Sequence, residues 1–129
     1  MKDIAENEYY SITVDEKKNR IYLTILGFWR DPDVVPNYVS DITKAGQSVS
    51  KDFTILTDIT QMKPPPKNVG EIHMKAQKVL VDAGLDKTAE LLPAHAIAQM
   101  AVDRYSRESG MKKGSFSSRE EAEKWLDED

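Results

Sequence analysis

Polar and apolar residues alternate from position 9 to 15, with Tyr10, Ile12 and Val14 on one face and Tyr9, Ser11 and Thr13 on the other. A period of two predicts a half-buried strand. Glu16-Lys17-Lys18-Asn19 then predicts a charged turn, with Asn19 suited to a positive φ. Residues 20–28 alternate again, Ile21, Leu23 and Ile25 against Tyr22, Thr24 and Leu26. So short a link makes the two runs an antiparallel hairpin. Gly27 predicts a bend or a close backbone approach at the strand end. Residues 1–8 precede the pattern and read as an N-terminal tail.

The period then changes. Asp31-Pro32-Asp33 predicts a helix start, and Pro36 is acceptable in a first turn, where backbone amides lack partners. Val35, Val39, Ile42, Gly46 and Val49 follow a helical stripe that Ser50-Lys51-Asp52 breaks. Residues 53–59 form a short β-type run, and the loop 61–67 is stiffened by Pro64, Pro65 and Pro66. Asn68 with Glu71 has capping-box spacing, and Val69, Ile72, Ala76, Val79, Leu80 and Ala83 form the apolar face of a helix that stops at Gly84. Residues 87–92 read as a fourth strand, with helix as the alternative, and Pro93 ends either. Residues 94–108 carry Ile97, Met100, Ala101 and Tyr105 at helical spacing, with a stop at Gly110. After a basic loop, Phe116 sits in a short edge strand. Ser118 with Glu121 is a second capping box, opening a last helix that buries Ala122, Trp125 and Leu126.

The order β-β-α-β-α-β-α-(β)-α is an α/β pattern: a hairpin followed by a mainly parallel sheet packed by helices. With 129 residues, no linker and no internal repeat, it is one domain, 1–129. The net charge of −4 argues against nucleic acid, whose binders carry a basic face. The chain has no cysteine, hence no disulfide, thiolate nucleophile or cysteine-ligated zinc. No apolar run approaches the roughly 20 residues that cross a bilayer. The acidic start, Met1-Lys2-Asp3-Ile4-Ala5-Glu6, lacks a hydrophobic signal core, so a cytoplasmic protein is expected.

The candidate chemistry gathers where the third strand ends. Open α/β sheets place their sites beyond the carboxyl ends of strands. Asp58 there would bind a cation or orient a hydroxyl, or else bond loop amides and shape the turn. Thr60 would accept a phosphoryl group, or serve as an ordinary loop hydroxyl. Phe28 and Trp29, where a strand leaves the sheet, would line an apolar pocket or anchor an interface, and core packing accounts for Phe28 equally well. Trp29, beside Arg30 and Asp31, suits either a pocket or interface or the core. The prolines either stiffen the loop or offer a ligand to an aromatic groove. Arg104, Arg107, Lys112 and Lys113 complement a helix dipole, with a phosphate site as the lesser reading. His73 and His95 have no metal-binding or catalytic spacing, and neither a Gly-x-Ser-x-Gly elbow nor a glycine-rich phosphate loop is present. No cofactor or metal is implied.

Several of these pieces, in this order, resemble the SpoIIAA-like branch of the STAS superfamily, which also includes a branch likened to lipid-binding SEC14 domains. They are Ile25-Leu26-Gly27 closing the hairpin, the apolar strand 53–59 running into Asp58, Lys87-Thr88-Ala89 after the glycine-ended helix, and Phe116 through the Ala122-Glu123-Lys124-Trp125-Leu126 helix. The resemblance spans positions 9–126. It implies a non-enzymatic regulatory or protein-interaction domain, working through loops 29–33 and 58–67. The better-known members are phosphorylated on a serine just after the strand-ending Asp. Here Ile59-Thr60-Gln61 follows Asp58, leaving Thr60 as the nearest hydroxyl. The SEC14-like branch implies, as the alternative, a small apolar ligand held between sheet and helices by Phe28, Trp29, Ile72, Ala76, Ile97 and Met100. The expected partner is therefore a protein or an apolar ligand. A homodimer through an exposed helix face is compatible with the pattern and not demanded by it.

Overall fold

The structure, a computed structural model, describes residues 1–92 and 113–128. Six strands form one sheet in chain order: β1 (Lys2–Glu6), β2 (Tyr10–Asp15), β3 (Arg20–Gly27), β4 (Thr54–Met62), β5 (Lys87–Leu91) and β6 (Lys113–Phe116). β1, β2 and β3 are antiparallel, and β3 through β6 run parallel. Helix α1 (Tyr38–Gln47) links β3 to β4, and α2 (Lys67–Asp82) links β4 to β5. Both crossovers step the same way across the sheet. With a common hand, that places both helices on one face. Their apolar stripes, Tyr38, Ile42 and Ala45 with Val69, Ala76 and Leu80, meet Ile12, Val14, Ile21, Ile55 and Ile59 there. Among the described residues, helix α3 (Arg119–Asp127) packs on the other face, where Ala122 and Leu126 meet Tyr22, Leu56, Ala89 and Leu91.

The β2–β3 turn is fixed by Asn19, at φ 55°. Its side chain accepts from the Ser50 amide (2.8 Å) and donates to the Ser50 carbonyl (3.0 Å), while its own carbonyl accepts from Thr54 N (3.1 Å). One turn residue thus sets where β4 enters the sheet.

Four expectations need correction. Residues 1–8 are not a tail, because Lys2–Glu6 pairs with β2 and turns Ile4 and Ala5 towards the core. At Asp31 the chain makes only a 3-10 turn, Pro32–Val34, capped by the Asp31 carboxylate through Asp33 N (2.9 Å). Val35 precedes Pro36 and is held out of the helical region, at φ −130° and ψ 57°, so α1 begins only at Tyr38. β4 runs on to Met62, beyond the predicted end at 59. Asn68 is no cap either. The extended Pro66 precedes α2, and Asn68 Oδ1 accepts only from the adjacent Val69 N.

Elsewhere the reading and the fold agree. Residues 87–91 are strand, buried between two parallel neighbours, which settles the alternative left open there. Ser118 caps α3 by accepting from Glu121 N (3.4 Å). The helix predicted over 94–108, with Gly110, His95, Ile97, Met100, Arg104, Arg107 and Lys112, lies outside the described residues.

Candidate functional site

Strands β3 and β4 end side by side, Gly27 opposite Met62, and Lys63 N donates to the Gly27 carbonyl (3.0 Å). Gly27 sits at φ +66°, a left-handed conformation that glycine adopts without strain. The chain reverses its strand alternation there. Phe28 points outward and is half exposed (50%), whereas Trp29 turns inward and is 1% exposed.

Of the two readings open to each ring, Phe28 therefore lies at the surface, where a pocket or interface could use it, and Trp29 lies in the core. The indole N–H has two carbonyl acceptors, Tyr9 O at 3.1 Å and Leu26 O at 3.2 Å, so the polar end of the ring is satisfied inside. Its ring stacks on His73 (centroids 4.8 Å, 22°) and meets Tyr38 edge-on (4.9 Å, 78°). Tyr10 completes the cluster against Trp29 and Tyr38, and its hydroxyl donates to Asp41 Oδ2 at 2.6 Å. Burial lowers the His73 pKa to about 4, so the imidazole is neutral. Burial raises the pKa of Tyr10, helped by the Asp41 carboxylate, and of Tyr38, helped by Tyr10, so both phenols stay protonated.

On β4 the register against β3 slips: Thr24 pairs with Asp58, but Leu26 pairs with Gln61. β4 therefore carries one extra residue, a bulge, a feature often found beside working sites. Asp58 closes it. Its Oδ1 accepts from Thr60 N (2.9 Å) and from the Thr60 hydroxyl (2.6 Å). Of the two readings of Asp58, the turn-shaping one describes this geometry. Thr60 is exposed, Ile59 is buried behind it, and the chain leaves through Lys63 and the three prolines to α2.

Phe28, Asp58 and Thr60 thus share one end of the sheet, with Trp29 behind them in the core. Of the residues expected to line an apolar pocket, Trp29 and Ala76 are core, Ile72 packs partly buried against it, and Phe28 is at the surface. No three His, Asp or Glu side chains among the described residues come together to hold a metal. No helix among them is long and apolar enough to cross a membrane.

Two charged constellations escaped the sequence reading. Glu90, buried in β5, lies 3.7 Å from Lys113 Nζ of β6. Arg20, buried at the head of β3, meets Glu123 and Asp127 of α3. The available signal was slight: an arginine in a buried strand, and two carboxylates four apart on an amphipathic helix.

No family model matches the sequence, and no curated protein does. Solved structures do match. A protein of the DUF3478 family with a SpoIIAA-like fold, from Shewanella loihica PV-4, is 12% identical, with a TM-score of 0.62 over 95% of this chain and 97% of the other. The anti-sigma factor antagonist SpoIIAA in its unphosphorylated form is 16% identical, with a TM-score of 0.59 over 91% and 96%. An anti-sigma factor antagonist from Mycobacterium paratuberculosis is 7% identical, with a TM-score of 0.58 over 96% and 99%. At such identities the likeness is one of fold. The chain has the SpoIIAA-like fold that its sequence resemblance implied.

Proposed function

We propose that this chain is a non-enzymatic regulatory domain that acts by binding another protein, with its contact surface at the carboxyl ends of β3 and β4. Phe28 carries the reading. Apart from Met1, it is the large apolar side chain that the described residues leave exposed, and the turn at Gly27 holds it there. An exposed aromatic on a rigid turn is the kind of anchor that carries binding energy at interfaces. Beside it, the bulge at Asp58 and Thr60 and the proline-stiffened loop to Lys67 form a surface with little conformational freedom left to lose on binding. Two neighbours of the same fold are by name antagonists of anti-sigma factors, which supports a regulatory role here. An acidic chain without cysteine suits a cytoplasmic setting.

Thr60 enters this reading as a polar contact. A phosphoryl group on it would meet the Asp58 carboxylate, 2.6 Å from the hydroxyl, and Thr60 lies in β4, not at the start of α2. The test is affinity capture from extracts of the source cells, with the unaltered chain and with Phe28→Ala as baits. Proteins held by the first and lost by the second support the surface. The same proteins retained in the same amounts by both would overturn it.

A further inference from the structure

Helices α1 and α2 reach the sheet through apolar side chains. The nine-residue α3 differs, because it buries only Ala122 and Leu126. Trp125 adds a partly buried contact with Phe116 (centroids 5.5 Å), and the other contacts are polar or cationic. Arg20, whose side chain is 3% exposed, donates from Nε to Thr54 Oγ1 (2.9 Å), from Nη1 to Glu123 Oε1 and from Nη2 to Asp127 Oδ1 (2.7 Å). The Tyr22 hydroxyl lies 3.0 Å from each Glu123 carboxylate oxygen. Lys87 Nζ donates to the carbonyls of Trp125 and Glu128, both at 2.7 Å, and sits 4.6 Å from the Trp125 ring centre. The negative end of the helix is thereby capped by an ammonium ion.

Glu123 and Asp127 are one turn apart, so a single guanidinium holds both. A helix of this length has little stability off the sheet. The ion pairs that seat it gain attraction at the cost of taking charge out of water, which leaves a small balance. Opening returns the Arg20 guanidinium to water and frees the partly exposed Glu123, while the Asp127 side chain is already 57% exposed. The sheet below stays fastened by the α1–α2 core on its other face.

We propose that α3 is a charge-held latch that lifts off the sheet as a unit while the rest of the fold stays closed, uncovering the face made by Tyr22, Leu56, Ala89 and Leu91. The device is independent of the Phe28 surface. Arg20 holds the Asp127 carboxyl below the usual carboxylate range, so the pair is ionised at neutral pH and responds to salt.

Backbone amide exchange of the full chain tests this, comparing α3 with α1 and α2 at low salt and at about 0.5 M sodium chloride. The α3 amides should exchange about tenfold or more faster than those of α2 and accelerate several-fold with salt, while α1 and α2 hold their rates. Exchange of α3 in step with α2, or an α3 rate indifferent to salt, would overturn the latch. The double variant Glu123→Gln, Asp127→Asn keeps the shape and removes the charge. It should raise the α3 rate at low salt about tenfold and abolish the salt response. An α3 rate equal to that of the unaltered chain would also overturn it, and the salt series on the unaltered chain stands whether or not the variant folds.

Discussion

The Asp58 carboxylate holds both ends of Thr60, the backbone amide at 2.9 Å and the hydroxyl at 2.6 Å, through the same Oδ1 atom. Two bonds to one charged acceptor close the bulge and fix the Thr60 side chain. They lie at an exposed edge, so their net worth is modest. Asp58→Ala should lower stability by about 1 kcal/mol, the usual scale for such bonds. Thr60→Val, which keeps the amide bond and loses the hydroxyl, should cost less. Urea unfolding of both variants checks the order; an Asp58→Ala midpoint equal to that of the unaltered chain would mean that the carboxylate does not organise the bulge.

Phe28 and Trp29 are adjacent in sequence and opposite in role. Trp29→Ala removes a ring packed on His73 and Tyr38, and should cost about 3–5 kcal/mol. Phe28→Ala should stay within about 0.5 kcal/mol, as surface changes do. That contrast separates binding from folding in any capture experiment. A large loss of stability in Phe28→Ala would place the ring in the core and withdraw it as an anchor.

The same pair shows where sequence reasoning stops. Hydrophobic period placed β2, β3, the core of β4 and the stripe of α2, because those positions repeat and burial is all they report. Phe28 and Trp29 lie past the end of a repeat, where the φ of Gly27 decides which ring turns in, and neither period nor composition reports that angle. The bulge at Asp58 was hidden for a related reason. It is a slip of β4 against β3, visible only when Thr24 and Leu26 are seen with their partners. Arg20 and Asp127 are 107 positions apart, beyond any local pattern. β1 was missed because a five-residue edge strand half open to water needs little apolar content.

Two glycines at positive φ should respond unequally to alanine. At Gly27 (φ +66°) an added Cβ would meet nothing within 4 Å, so only the left-handed conformation is penalised, by about 1 kcal/mol. At Gly84 (φ +108°) the same Cβ would stand 2.8 Å from Lys51 Cγ and 3.1 Å from Lys51 Cα, part of it backbone that cannot swing away. Gly84→Ala should therefore be clearly the more destabilising of the two, by about 2–3 kcal/mol with strain and clash together. Thermal midpoints rank them, and equal shifts would show that the Lys51 segment yields freely.

Buried beneath Trp29, His73 makes stability depend on pH. Its folded pKa of about 4 lies below the unfolded value of 6.5, so between those limits the unfolded chain binds the proton and the folded chain does not. The contribution is complete above pH 6.5, drains away as pH falls, and is gone below about 4. At about 1.4 kcal/mol per pH unit, the full span is worth about 3 kcal/mol. Tyr38, edge-on to the imidazole at 5.6 Å, and Tyr10 beyond it add nothing to this, since their raised values keep them protonated throughout. Urea titrations at steps from pH 7 to pH 4 should show the decline, and His73→Phe should flatten it over that window, whatever the substitution costs at pH 7. An unaltered slope in the variant would assign the acid sensitivity to carboxylates and leave His73 protonated or solvated in the folded chain.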